Sequence, residues 1–172
     1  LAVNKAWPFL SNEDYHIRYA ARLALEWQDS KSWANQAYSE KDDVAAIHAL
    51  LGLARSDLAG SLKPSVDRLL KVDFDQLDKT GKLALLRTYS VIMSRGGTPD
   101  TNQVLAIGEQ LDPFFPSSDD NLNEELCRVL CFLEHPTVVR KTIALMKTTQ
   151  AKIPDYDAEV MKRHKGYGAR IL

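Results

Sequence analysis

The sequence lacks several features that would each indicate a class of protein. Two cysteines in 172 residues are too few for the disulfide framework of a small secreted domain. No uninterrupted apolar run approaches the roughly 18 residues that a membrane-spanning helix requires, so we expect no membrane insertion. Lysine and arginine (22) nearly balance aspartate and glutamate (23), and the formal charge of -1 lacks the positive excess typical of nucleic-acid binders.

Catalytic signatures are absent as well. The sequence contains no glycine-rich phosphate loop, no Walker motif, no Gly-x-Ser-x-Gly and no His-Glu-x-x-His. We therefore predict no catalytic residue, no cofactor-binding residue and no metal site, and we expect that the protein is not an enzyme.

Helical periodicity is the feature that the sequence has in abundance. Leucine and alanine dominate, apolar residues recur at helical spacing, and no strand-like alternation persists. The predicted helices cover about 14–27, 32–38, 42–54, 61–70, 80–95, 99–111, 122–134 and 136–148, with a last helix beginning near Asp155. The sequence thus predicts an all-α fold of about nine helices.

Capping and burial patterns make these predictions specific. Thr98 is the predicted N-cap of one helix, with Pro99 at its first position. Ser11 and Asp14 resemble a capping box before the first long helix. The apolar stripe of that helix comprises Ile17, Ala20, Ala21, Ala24 and Leu25, and the stripe of helix 136–148 comprises Val138, Val139, Ile143, Leu145 and Met146.

The helices recur in pairs. The first helix of each pair starts near residues 13, 42, 80 and 121, so the intervals are roughly 30 to 40 residues, which is typical of an α-solenoid. A compact helical bundle stays open as the alternative. A tetratricopeptide array is not favoured, because no Trp/Gly/Tyr pattern recurs every 34 residues or so.

One segment resembles a known repeat. Residues 14–26 read Asp-Tyr-His-Ile-Arg-Tyr-Ala-Ala-Arg-Leu-Ala-Leu-Glu and resemble the HEAT-repeat consensus. The resemblance implies a HEAT-like α-α superhelix, a short solenoid of antiparallel helix pairs, over residues 1–172. It also implies that Asp14 and Arg18 tie neighbouring repeats together. The chain ends lead us to expect a fragment of a longer chain.

A wider resemblance covers roughly residues 6–148. Ala-Trp-Pro-Phe-Leu-Ser, Leu-Asp-Pro-Phe-Phe-Pro and Asn-Glu-Glu-Leu-Cys-Arg-Val-Leu-Cys-Phe-Leu-Glu are similar to a helical segment of large bacterial extracytoplasmic proteins with PVC-type haem-binding domains. In that family the segment is a connector or scaffold. The resemblance implies an extracytoplasmic location, but the haem-attachment motif Cys-x-x-Cys-His is absent here, so redox activity does not carry over.

Cysteines and histidines supply the first candidate sites. Cys127, Cys131 and His135 follow one side of a helix and would hold zinc if a fourth ligand joined them. We favour the alternative, in which both cysteines are small buried core residues and His135 lies at the helix end. His48, in the most apolar helix, is either a satisfied core histidine or a titratable site. His16 and His164 are scattered, and we predict a catalytic role for none of these histidines.

Aromatic and basic clusters supply the others. The first quarter of the chain concentrates Trp7, Tyr15, Tyr19, Trp27, Trp33 and Tyr38. With Arg18 and Arg22 these rings would suit a protein-binding surface. We favour the alternative that they fill the first inter-repeat core or contact a neighbouring domain. The basic run 162–165 with Arg170 would bind a phosphate or an acidic partner, but we favour a solvated helix face.

These observations predict a non-enzymatic helical-repeat scaffold or protein-interaction segment. Its partner would be another protein or a neighbouring domain of the same polypeptide. One alternative is a structural segment of a haem-linked extracytoplasmic oxidoreductase, which rests on the resemblance alone. A further alternative is a HEAT-like nucleic-acid binder, which the charge of -1 disfavours; we expect no nucleic-acid partner.

Overall fold

A computed structural model describes residues 2–56 and 61–148 of the chain. Within those residues it contains nine α-helices and no strand. The helices are α1 (Ala2–Ala6), α2 (Tyr15–Glu26), α3 (Ala34–Ser39), α4 (Asp43–Ser56), α5 (Leu62–Leu69), α6 (Lys79–Gly96), α7 (Thr101–Leu111), α8 (Asp120–Phe132) and α9 (Val138–Thr148). The predicted all-α class is confirmed, while the helix predicted near Asp155 lies outside the described residues.

Aspartate N-caps set the start of four long helices. The caps of α2, α6, α7 and α8 are Asp14, Asp78, Asp100 and Asp119. Each carboxylate accepts a hydrogen bond from a backbone N–H of the first turn, a contact worth about 1 kcal/mol. Two predicted caps are therefore wrong. The Asp14 carboxylate replaces Ser11 at α2, and α7 begins after Asp100, not Thr98, because the Asp100 carboxylate accepts from the Gln103 N–H at 3.0 Å.

The helices contact one another in chain order. Helix α4 lies between α2 and α6, and α6 in turn contacts α8. Helices α3 and α5 contact each other and α4, while α7 and α9 each contact α8. Ten successive residues of α4, 45–54, are buried because neighbours cover it on several sides. One hydrophobic core runs from Trp7 to Val138. Among the described helices, none has the length and apolar character that a membrane crossing requires.

The buried faces of α2 and α9 differ from the predicted stripes. On α2 the buried residues are Arg18, Ala21 and Leu25, whereas Ile17 and Ala20 are exposed. The predicted stripe is confirmed for Ala21 and Leu25 and is wrong for Ile17 and Ala20. A periodicity argument counts Arg18 as polar, although the aliphatic stem of an arginine packs well against apolar neighbours.

On α9 most of the predicted stripe faces outward. Val138 is buried, but Val139, Ile143 and Met146 are exposed. Helix α9 contacts α8, and the described residues offer its opposite side little cover. Apolar periodicity identifies an amphipathic helix, but it does not show that a partner covers the apolar side.

Gln110 joins three elements through its side-chain amide. Its Nε2 donates to the backbone carbonyls of Leu69 (3.2 Å) and Val72 (2.9 Å), and its Oε1 accepts from the buried Tyr89 hydroxyl at 2.8 Å.

Replacing Gln110 with leucine leaves these groups without partners. We expect the free energy of unfolding to fall by about 2 kcal/mol or more, measured by chemical denaturation. Glu109→Leu, at an exposed neighbouring position, should change it by less than about 0.5 kcal/mol; equal losses would contradict this role.

Candidate functional site

The six aromatic residues of the first quarter divide into two groups. Trp7 and Trp33 are buried, with ring centroids 6.3 Å apart in an edge-to-face arrangement. The Trp7 indole N–H donates to the Glu40 carboxylate at 2.6 Å. Tyr38 is half-buried against the core. For these three residues, the favoured interpretation of core filling is confirmed.

The aromatic residues of α2 and its C-terminal end are exposed instead. The exposed fraction is 60% for Tyr15, 43% for Tyr19 and 82% for Trp27. The Tyr15 and Tyr19 rings stack with centroids 6.3 Å apart, as their spacing of one helical turn allows. The Arg22 guanidinium lies 5.1 Å from the Tyr19 ring centroid. The prediction that the aromatic residues fill a core is therefore wrong for these three. Among the described residues they form an exposed aromatic surface on α2.

A cleft of about 370 Å³ opens beside Tyr15, between α2, α4 and α6. Its basic lining residues come from all three helices: Arg18 and Arg22 from α2, His48 and Arg55 from α4, and Arg87 from α6. None of its lining residues, all of which lie in the described part of the chain, is acidic. We call this volume the arginine cleft. A second cleft of about 320 Å³ shares Arg18 and His48 with it and continues towards Glu13 and Asp78.

Local sequence explains how α2 and α4 form this wall. A spacing of four residues puts Arg18 and Arg22 on one side of α2. On α4, His48 and Arg55 share a side because they are seven residues apart. Between them, Gly52 lets the Arg22 side chain lie close: a Cβ at Gly52 would be 3.2 Å from the Arg22 Cγ. A glycine in a helix interior costs stability, and here it permits a close approach of α2 and α4.

Arg18 is the most deeply buried guanidinium of the cleft, with 8% exposed. Its Nη1 donates to the backbone carbonyls of Asn12 (2.6 Å) and Glu13 (2.9 Å), while its Nε has no hydrogen-bond partner. Asp14 accepts from the N–H groups of His16 and Ile17. Within the described residues, the hydrogen bonds of Asp14 and Arg18 thus stay inside segment 12–18. None of these side-chain hydrogen bonds joins α2 to another helix.

A single carboxylate partly neutralises the arginine cleft. The Glu26 Oε1 lies 3.1 Å from the Nε of Arg22 and 3.1 Å from the Nε of Arg55. Within the described part of the chain, Arg87 has no ion-pair partner. Four guanidinium groups therefore line the cleft, and Glu26 is the carboxylate that lies against two of them. Further carboxylates lie in adjoining recesses: Glu124 and Glu125 share one with Arg87, and Glu13 and Asp78 share one with Arg18.

His48 lies at the bottom of the cleft and is 8% exposed. Its Nδ1 has no hydrogen-bond partner within the described residues. Burial lowers the pKa of His48 to about 4, and the charges of Arg18 and Arg22 act in the same direction. His48 is therefore neutral at pH 7 and is a buried titratable group. The predicted core position of His48 is confirmed, but its Nδ1 is not satisfied by the described residues.

The structure does not assemble the candidate zinc ligands. The sulfur atoms of Cys127 and Cys131 are 3.8 Å apart and both thiols are free. His135 instead contacts the Thr137 hydroxyl at 3.1 Å and the Asp112 carboxylate at 3.5 Å. In residues 2–56 and 61–148, no three or more metal-ligating side chains converge. The favoured core interpretation is wrong for Cys131, which is exposed, and Cys127 is only partly buried.

The remaining candidates take no part in the cleft. His16 is exposed in the first turn of α2, edge-to-face with Tyr15. His164, the basic run 162–165 and Arg170 lie outside the described residues. Comparisons with protein-family models, curated proteins and solved structures give no match to this chain.

Proposed function

We propose that the chain is a non-enzymatic scaffold segment that binds a protein neighbour, either a partner protein or an adjoining domain of the same polypeptide. The observation that carries the proposal is the exposed side of α2. Tyr19, Leu23 and Trp27, all exposed, lie opposite the side that α2 buries through Ala21 and Leu25. Contiguous exposed apolar surface marks interaction sites, and tryptophan and tyrosine are favoured in binding hot spots.

The architecture proposed for this scaffold is the HEAT-like α-solenoid. The succession of contacts from α2 through α4 and α6 to α8 supports it, because stacked repeats contact mainly their neighbours. The resemblance of residues 14–26 to the HEAT consensus agrees with it, and a compact bundle is the alternative. In a solenoid, the outer side of α2 is where a further unit would stack.

The haem-linked alternative remains a proposal that rests on the resemblance. In it, the segment is extracytoplasmic, and the neighbour that covers α2 is another domain of the same polypeptide. Nucleic-acid binding is less favoured, because the chain has a formal charge of -1 and its exposed aromatic side is apolar.

Co-purification from the source organism tests the proposed function. We expect the tagged protein to bring down, or to be continuous with, a defined neighbour. The tagged double variant Tyr19→Ser/Trp27→Ser should release the neighbour at a lower concentration of salt or denaturant than the unaltered protein does, because two large contact residues are lost. Circular dichroism establishes that the variant folds, and both substituted residues are exposed.

The matched control is Leu105→Ser on α7, where the side chain is also exposed. This variant should retain the neighbour as the unaltered protein does. If the α2 variant and the α7 variant retain the neighbour equally, the α2 surface is not the binding site. If the intact protein in its own host has no neighbour, the scaffold proposal fails.

A further inference from the structure

We infer that the arginine cleft is a carboxylate-binding site that receives acidic side chains of the protein neighbour. The inference rests on the proposed function and deepens it by assigning the chemistry of the partner: an acidic peptide segment. It is carried by the convergence of four guanidinium groups from three helices in a recess with no acidic lining residue among those described.

The first argument is unused hydrogen-bonding capacity. Arg18 and His48 are each more than nine-tenths buried, and each has a buried side-chain nitrogen without a hydrogen-bond partner. Buried polar groups in folded proteins are nearly always paired. Both nitrogens are covered by neighbouring protein atoms and are not open to the cleft, so they show that the described chain leaves polar groups of this wall unsatisfied, while the accessible guanidinium groups would make the contacts to a ligand.

The second argument is the geometry of the ion pairs. Arg22 and Arg55 approach Glu26 through Nε, so their terminal Nη groups are left for a ligand. Guanidinium groups bind carboxylates strongly, with two parallel hydrogen bonds where the planes align. Arg87, across the cleft on α6, supplies a further group without an ion-pair partner among the described residues.

The third argument is continuity with the proposed interface. Tyr15 lines the cleft and stacks on Tyr19, and Arg22 lies over the Tyr19 ring. Tyr15 belongs to both surfaces, so a neighbour that covers the aromatic side of α2 also lies against the arginine cleft. Aromatic contact combined with arginine pairing is the usual composition of a binding hot spot.

The surroundings favour a peptide carboxylate over a nucleic-acid phosphate. Glu13 and Asp78 line the adjoining cleft, so an anionic chain that extends beyond the arginine cleft meets negative charge, which disfavours a long nucleic acid more than a short acidic peptide. The recess, about 370 Å³, is large enough for one or two acidic side chains.

Hexaglutamate binding to the full chain, measured by fluorescence anisotropy at low salt, tests the inference. We expect binding that weakens as salt rises and no comparable binding of hexaglutamine. Arg87→Gln should weaken binding about tenfold, the scale of one charge-assisted hydrogen bond. Arg95→Gln is the matched control, because Arg95 is an exposed arginine on the same helix, and it should leave affinity unchanged.

Two outcomes would overturn the inference. They are equal binding of hexaglutamine and equal weakening by Arg87→Gln and Arg95→Gln. A single-stranded DNA oligonucleotide that binds more tightly than hexaglutamate, with the same dependence on Arg87, would assign the cleft to nucleic acid. The proposed function is tested separately. If Tyr19→Ser/Trp27→Ser weakens binding of the neighbour and Leu105→Ser does not, the scaffold proposal stands. If hexaglutamate fails to bind in the same protein, the assignment of the arginine cleft fails alone.

Discussion

Replacing Trp33 with alanine should lower the free energy of unfolding by about 3–5 kcal/mol. Trp33 is 1% exposed and packs against Trp7, so the substitution removes a large ring from the core and leaves a cavity that the surrounding helices fill only in part. Chemical denaturation followed by far-ultraviolet circular dichroism gives the measurement, since fluorescence would itself change with the loss of a tryptophan.

Two further variants show whether burial is the cause. Trp33→Phe should cost much less than Trp33→Ala, because it keeps an aromatic ring and removes an indole N–H that has no hydrogen-bond partner among the described residues. Trp27→Ala, at a position 82% exposed, should stay within about 0.5 kcal/mol of the unaltered protein. Similar losses for Trp33→Ala and Trp27→Ala would show that the core does not lie where we describe it.

Acidification below pH 6.5 should destabilise the fold through His48. Burial and the charges of Arg18 and Arg22 lower its pKa to about 4 in the folded state, whereas an unfolded histidine titrates near 6.5 or so. The unfolded state therefore binds the proton first. The contribution to stability is fully present above about pH 6.5 and is lost as the pH falls towards 4, by up to about 3 kcal/mol.

A comparison of pH slopes isolates this histidine from the carboxylates that also titrate in acid. The free energy of unfolding is measured between pH 7.5 and 4.5 for the unaltered protein, His48→Leu and His16→Leu. The slope should shrink in His48→Leu, while His16→Leu, at an exposed position, should keep it. An unchanged slope in His48→Leu would show that His48 titrates normally.

The sequence predicts the long central helices well for physical reasons. Helices α4 and α6 combine dense apolar periodicity with an aspartate at or near the start. Helix α6 stops at Gly97, whose φ of +86° suits glycine and whose N–H donates to the Met93 carbonyl at 3.0 Å. Where two capping side chains compete, as Thr98 and Asp100 do, residue type alone does not decide, and the predicted start of α7 is two residues early.

The arginine cleft could not be predicted in the same way. Its charged residues lie on α2, α4 and α6, and only the packing of α4 between the other two helices brings them together. One signal was available in the sequence: two polar residues, His48 and Arg55, on a common side of an otherwise apolar helix. The outward direction of Tyr15 and Tyr19, by contrast, follows from helical spacing alone, because the predicted stripe of α2 lies on the other side of the helix.

Site-specific photo-crosslinking in the source organism tests the central claim most directly, namely that the exposed side of α2 binds a protein neighbour. A benzophenone amino acid replaces Trp27 in one variant and Leu105 of α7, also exposed, in a second. The account predicts a discrete crosslink from position 27 to another protein or to a neighbouring domain of the same polypeptide. Position 105 should give no crosslink to that partner. No crosslink at position 27, or the same products at both positions, would contradict it.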